Sequence, residues 1–327
     1  MRRLHLCLVT PALADANNGN WQTAKRWAHM LSEHYRVRLS HTWPDGQDTD
    51  VLLALHARKS ADSVLAWKQA HPDRLLVLAL TGTDLYRDIH DHINAQRALA
   101  LADRLIVLQD QGLSVLPVHL QAKTRVLYQS STPRKTLAKT SKHLRAVMVG
   151  HLRDEKWPQV LWQAVAHIAP DEGILIDHMG EALDPALGQE AQRMARHHPH
   201  YRWLGGLSFA ATRAHIQRAH VLVHTSRLEG GAHVIMEAVL SGTPVLASRI
   251  SGNVGMLGVD YPGYFEPGDS SALAHALRMC LQTLGHPHSQ IQHLQQACQT
   301  RAPLFLPERE KANLLALIHD SLSLANG

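Results

Sequence analysis

The chain has 327 residues, 45% of them hydrophobic, which suits two domains of roughly 150 residues, each with its own apolar core. No apolar run approaches the roughly 18 residues of a membrane-spanning helix, so the composition excludes both a transmembrane bundle and a small stapled scaffold. The surplus of 33 basic over 28 acidic residues is too slight to mark a nucleic-acid or membrane binder, but it is uneven: residues 1–142 hold 19 basic and 12 acidic side chains, the remainder 14 and 16.

Arg2 and Arg3 lead into an apolar stretch at 4–9, interrupted by His5 and followed by Ala12-Leu13-Ala14. It is too short for a secretory signal and is expected to form the first buried strand, with Cys7 in the core. Further strands are expected at 36–40, 51–55, 75–80, 104–108 and 124–128. Helical patterns intervene, most clearly at 21–31, where Trp21, Ala24, Trp27, Ala28 and Leu31 recur at spacings of three and four. Residues 132–142 lose the apolar pattern and bring Arg134, Lys135, Lys139 and Lys142 without an acidic residue, as in an exposed linker. A second series of short apolar runs follows at 146–149, 174–176, 201–204, 221–223 and 244–247.

Such alternation is that of parallel strands joined by helical crossovers. The fold class is therefore α/β, with two tandem Rossmann-like doubly wound domains, an N-terminal one over 1–138 and a C-terminal one over 139–306. A last segment, 307–327, carries Leu314, Leu315, Leu317, Ile318, Leu322 and Leu324 in helical period. Ligands of doubly wound sheets sit beyond the carboxyl ends of the strands, which directs attention to the loops there and to an interdomain cleft. The three cysteines, Cys7, Cys280 and Cys298, are odd in number and lack C-x-x-C spacing, which argues against a disulfide framework or zinc knuckle and for a reducing cytoplasm. The 25 histidines are scattered, and no metal site is expected.

The strongest chemical signal is the run Ser226-Arg227-Leu228-Glu229-Gly230-Gly231-Ala232-His233-Val234-Ile235-Met236-Glu237, followed by Ala238 and by Ser241-Gly242-Thr243-Pro244-Val245-Leu246-Ala247-Ser248. It reads strand, Gly-rich loop, helix, turn, strand. The glycines allow close backbone approach to a ligand, and free amides opening the helix can receive phosphate or hydroxyl oxygens. Two carboxylates eight residues apart, one in the loop and one about two turns into the helix, can accept hydrogen bonds from separate polyol groups. Spacing alone also fits an ordinary strand-helix-strand crossover with incidental acids.

Glu229 and Glu237 resemble the paired-glutamate motif of the family 4 retaining glycosyltransferases, which have the two-Rossmann-domain GT-B fold. Gly242-Thr243-Pro244-Val245, Ala247-Ser248 and Gly252 look like that family's next turn and strand. Val149-Gly150-His151-Leu152-Arg153-Asp154-Glu155-Lys156 looks like its segment carrying the diphosphate-binding Arg and Lys. The resemblance implies that Lys156 holds the donor diphosphate and stabilises the leaving group. It also implies that Glu229 and the backbone of Gly230, Gly231, Ala232, His233 and Val234 orient the sugar, and that Glu237 binds the ribose. Lys156 and Glu229 are then the catalytic pair, with Gly19, Arg153, Gly180 and Leu207 as further donor contacts. The pattern departs at His151, where the family usually has arginine, and at Trp157, where it usually has glycine; Arg153 is expected to supply the missing cation. The C-terminal helix would, by the same resemblance, cross back to brace the N-terminal domain.

Asn17-Asn18-Gly19-Asn20-Trp21-Gln22-Thr23, His56-Ala57-Arg58-Lys59-Ser60 and Leu80-Thr81-Gly82-Thr83-Asp84-Leu85-Tyr86-Arg87-Asp88 narrow the resemblance to a branch, the selenosugar synthases of selenoneine biosynthesis. The branch implies UDP-N-acetylglucosamine as donor and selenophosphate as acceptor, with no tightly bound cofactor. Asn18, Gly19, Asn20, His56, Arg58, Lys59, Thr83 and Asp84 would form the acceptor side, where cations and free amides suit a phosphate oxyanion. Small molecules are the expected partners, without nucleic acid or stable membrane insertion. Two alternatives stay open: a conventional transferase with a lipid or polysaccharide acceptor, and a nucleotide-sugar-binding module without turnover.

Overall fold

The computed structural model describes residues 3–11, 19–44 and 46–325. The chain divides into two compact units, Met1–Ser130 with Pro307–Gly327, and Ser131–Leu306.

The first unit is a six-stranded parallel sheet of β1 (His5–Val9), β2 (Arg36–Ser40), β3 (Val51–Leu55), β4 (Leu76–Leu80), β5 (Arg104–Val107) and β6 (Thr124–Val126), in the order β2-β1-β3-β4-β5-β6. Side chains alternate between the faces, as strand geometry demands. Leu6 and Leu8 join Leu53, Val77 and Ile106 in one core; Cys7 and Val9 join Leu52, Ala54, Leu76 and Leu78 in the other. Because both faces are covered, β3 and β4 are buried throughout, which is why they read as unbroken apolar runs.

The helix expected from residue 21 is Gly19–Leu31 and buries Thr23, Ala24, Trp27, Met30 and Leu31. Thr23 belongs to the inner face because its Oγ1 donates to the Gly19 carbonyl at 2.8 Å and accepts from Gln129 Nε2 at 2.5 Å. The helix Pro307–Ala325 adds Leu314, Leu317 and Ile318 to the core that holds Trp27. Its Glu310 is fully buried. The carboxylate accepts from Arg26 Nε (2.8 Å), Trp27 Nε1 (2.6 Å), the Ser130 amide (2.8 Å) and Ser130 Oγ (2.5 Å).

The second unit is again a six-stranded parallel sheet: β7 (Leu144–Val149), β8 (Ile174–Met179), β9 (Tyr201–Trp203), β10 (Val221–His224), β11 (Val245–Ser248) and β12 (Tyr264–Phe265), in the order β12-β11-β10-β7-β8-β9. The two-residue β12 escapes sequence reasoning because it has no apolar run. Residues 132–140 form neither helix nor strand, but they are not the free linker their composition suggests. The Arg134 amide donates to the Leu240 carbonyl (2.8 Å), Gln217 Nε2 to the Lys135 carbonyl (2.7 Å) and Lys139 Nζ to Thr243 Oγ1 (3.3 Å), tying the segment to the second unit.

Strand order reverses between β1 and β3 in the first unit and between β7 and β10 in the second. At such a switch point the following loops leave in opposite directions and open a crevice. Among the described residues no helix is long and apolar enough to cross a membrane, and no cluster of His, Cys, Asp and Glu could hold a metal ion.

Candidate active site

The loops that leave β7 and β10 meet directly over the second switch point. After β7 the chain makes a single 3-10 turn, Asp154–Lys156. The loop after β10 is pinned to that turn: Thr225 Oγ1 donates to the Lys156 carbonyl (2.8 Å), the Arg227 amide to the Glu155 carbonyl (2.9 Å), and Arg227 Nη1 to Asp154 (2.9 Å). These bonds bring Lys156 Nζ to 2.5 Å from Glu229 Oε1, with side chains only 15% and 11% exposed. Burial pushes the Glu229 carboxyl up, but the Lys156 ammonium and its hydrogen bond, the neighbouring His224 ring and the Ser226 hydroxyl outweigh it and hold the group at about 2. The site therefore contains a permanent carboxylate beside an ammonium, able to grip a polyol and a diphosphate respectively.

Close backbone packing supports the pair. A Cβ at Gly252 would lie 2.0 Å from the Glu229 carbonyl oxygen, so only glycine lets the helix Ser251–Leu257 press against the loop. A Cβ at Gly180 would lie 1.9 Å from the Gly150 carbonyl oxygen, and the Gly180 amide donates to the Gly205 carbonyl at 2.8 Å. The ends of β7, β8 and β9 are thereby stacked, with half-buried Leu207 just beyond. Gly230, Ala232 and Val234 are buried, Gly231 and His233 partly so. The helix starts at His233, so Glu237 is one turn in rather than two. Glu237 is buried and pulls up the pKa of Arg213, which burial pushes down. Arg213 is held by Ser131 Oγ and, at 2.9 Å, by the Thr132 carbonyl.

Arg153 does not join this group. Its side chain is half-exposed and leans toward Glu155 at 3.9 Å, because the residue is still extended before the turn closes. His151 is also drawn away, its Nδ1 accepting from the Glu181 amide at 3.2 Å.

In the first unit the loops after β3 and β4 form a second cluster. His56 is buried with a left-handed backbone (φ 73°), and its Nε2 lies 3.1 Å from Thr83 Oγ1. Burial lowers the His56 pKa against the pull of Asp84 and Asp88, leaving a neutral ring. Arg58 Nη1 bonds Asp88 at 3.2 Å, and Lys59 is exposed. Asp84 corrects the expectation of a ligand contact. It is fully buried, and its oxygens accept from the Ala57 (2.9 Å), Thr81 (2.9 Å) and Gly82 (2.8 Å) amides, so it holds the two loops from beneath. Gly19 and Asn20 are the first residues of their helix, not a loop; Asn18 lies outside the described residues.

Residues 143–283 match the family described as "Glycosyl transferases group 1". The match falls within the second unit. Solved structures of similar fold superpose on both units. Sucrose-phosphate synthase from Thermosynechococcus elongatus superposes with a TM-score of 0.79 at 15% identity, over 98% of this chain and 100% of that one. Anabaena HepE in complex with UDP-glucose gives 0.74 at 15% identity, over 97% and 100%. The pneumococcal O-GlcNAc transferase GtfA, in complex with UDP and GlcNAc, gives 0.63 at 15% identity, over 92% and 60%. The fold is GT-B. No curated protein sequence matches the chain significantly.

Local packing accommodates Trp157, the residue that stands where the resembled family has glycine. Its backbone is left-handed (φ 47°, ψ 55°), a conformation that costs a side-chain-bearing residue about 1–2 kcal/mol. Stacking offsets this: the Arg227 guanidinium lies 3.8 Å from the indole centroid, and Gly268 packs against the ring's far edge. The second unit also holds a buried residue beside the pair that the sequence did not single out. His224 ends β10, is buried, and places Nε2 3.5 Å from Glu229 Oε1. Its only signal in the sequence is a histidine closing an apolar strand just before the Gly-rich loop.

Proposed function

We propose that the protein is a glycosyltransferase that moves the sugar of UDP-N-acetylglucosamine onto the selenium of selenophosphate, releasing UDP. The observation that carries this reading is the Lys156–Glu229 pair, 2.5 Å apart over the switch point of a group 1 domain. Solved neighbours of the same fold hold UDP-glucose or UDP with GlcNAc, which supports a uridine-diphosphate sugar as donor.

Lys156 meets the donor diphosphate and stabilises the charge that builds on it as the C1–O bond breaks, a role that needs no proton transfer. Glu229 and the backbone of residues 230–234 orient the sugar, Glu237 accepts from the ribose hydroxyls, and Gly180 and Leu207 border the nucleotide. In the first unit Arg58, Lys59 and the Thr83 hydroxyl take the acceptor's phosphate oxygens, with His56 behind them and Gly19 and Asn20 at the helix start. The new C1–Se bond forms with an electron pair from selenium, and the C1–O pair leaves on the UDP diphosphate. Water then cleaves the P–Se bond, giving phosphate and the selenol sugar. Selenium in selenophosphate is nucleophilic without deprotonation by a base, so no general base is assigned. A lipid acceptor gains no support from the helix Gly19–Leu31, whose Trp27, Met30 and Leu31 are buried.

Incubating the purified protein with both substrates tests the reading. UDP release that requires selenophosphate, accompanied by a selenium-containing N-acetylhexosamine in the mass spectrum, is expected. UDP release at the same rate without selenophosphate would remove the acceptor, and no UDP release under any condition would remove the transferase.

A further inference from the structure

His224 is a buried histidine beside the Lys156–Glu229 pair, and the site chemistry has not used it. It is 2% exposed, and neither ring nitrogen has a hydrogen-bond partner among the described residues. Burial pushes its pKa down to about 4, with Glu229 pulling it up and Lys156 pushing it further down, so the ring is neutral near pH 7. A neutral imidazole carries one N–H, and an unsatisfied N–H in a buried place is costly. Glu229 Oε1 lies 3.5 Å from Nε2, and that oxygen accepts from Lys156 Nζ at 2.5 Å.

Lys156 and Ser226 thus both act on the Glu229 carboxylate, while the His224 ring stands beside it unbonded. Under the reading above, Lys156 turns to the donor's diphosphate. Glu229 would then lose its cation while staying 11% exposed, a poor state for a carboxylate whose direction sets the sugar. We propose that His224 is a positioning residue: it donates its Nε2–H to Glu229 Oε1 when Lys156 engages the donor, leaving Oε2 aimed at a sugar hydroxyl. Nε2 and Oε1, 3.5 Å apart, stand at the edge of hydrogen-bond distance. His224 touches neither substrate. Its effect passes through Glu229 and concerns the sugar, while the diphosphate depends on Lys156.

The inference rests on the donor reading, and binding measurements separate the two. UDP-N-acetylglucosamine and UDP are titrated by calorimetry into the wild type and into His224→Leu, His224→Gln and His224→Asn. The glutamine amide nitrogen reaches the Nε2 position; that of asparagine reaches only Nδ1. His224→Leu and His224→Asn are expected to bind UDP-N-acetylglucosamine about tenfold more weakly and UDP within about twofold of wild type, with His224→Gln near wild type for both. Without ligand, His224→Leu is expected to melt at or above the wild-type temperature, since it removes an unsatisfied group; a purely structural histidine would give a lower one. Wild-type affinity in all three variants, or equal losses for UDP and UDP-sugar, would overturn the role of His224 and leave the donor reading standing. A wild type that binds neither ligand would overturn both.

Discussion

Lys156→Met is expected to slow UDP release by about 10²–10³-fold, the usual cost of removing a preorganised charge from a transition state. Methionine keeps the stem that packs over Gly150 and removes only the ammonium. The same change strands the Glu229 carboxylate without its cation, and breaking a buried pair by removing one partner costs about 3–5 kcal/mol. Acidity separates this effect from a general packing defect. Glu229 is held at about 2 in the folded protein against an ordinary 4.5, so the pair's stabilisation is complete above pH 4.5 and disappears as the pH falls toward 2. Thermal midpoints measured from pH 7 downward are expected to fall more steeply below pH 4.5 in the wild type than in Lys156→Met. Parallel curves, or a variant with wild-type turnover, would contradict the role given to the pair.

Glu310→Leu is expected to destabilise the first unit by about 3–5 kcal/mol, read as a lower urea midpoint. The carboxylate is fully buried and collects Arg26, the Trp27 indole N–H and both donors of Ser130, so leucine leaves a guanidinium, an indole and an amide without their acceptor at once. Glu310→Gln retains an acceptor oxygen for part of this set and is expected to lose about half as much. A midpoint equal to wild type in Glu310→Leu would mean that the helix Pro307–Ala325 is held by Leu314, Leu317 and Ile318 alone.

These two residues show where the sequence was legible and where it was not. The strands could be read because both faces of each sheet are covered, turning VLLAL at β3 and LVLAL at β4 into apolar runs. Lys156 and Glu229 stand out in the sequence only through resemblance to family motifs, and the structure brings the two side chains together at 2.5 Å. Glu310 could not be read, since an acid near the start of an amphipathic helix looks like a solvated residue until Arg26, Trp27 and Ser130 converge on it from distant parts of the chain. Asp84 misled for the related reason that a polar residue after a strand can serve backbone amides instead of a ligand. The basic residues of 132–142 looked like a free linker because hydrogen bonds from Lys139 and to the Lys135 carbonyl leave no trace in composition. Trp157 looked like a departure from a glycine position; its backbone is left-handed, and its ring stacks on Arg227.

Calorimetric titration of UDP-N-acetylglucosamine into wild type and Glu229→Gln measures whether a carboxylate paired with Lys156 recognises the sugar of a uridine-diphosphate donor. The glutamine keeps shape and loses charge, so the variant is expected to bind the UDP-sugar at least about tenfold more weakly while binding UDP nearly as well as the wild type. Equal affinity of the two proteins for UDP-N-acetylglucosamine would contradict that recognition.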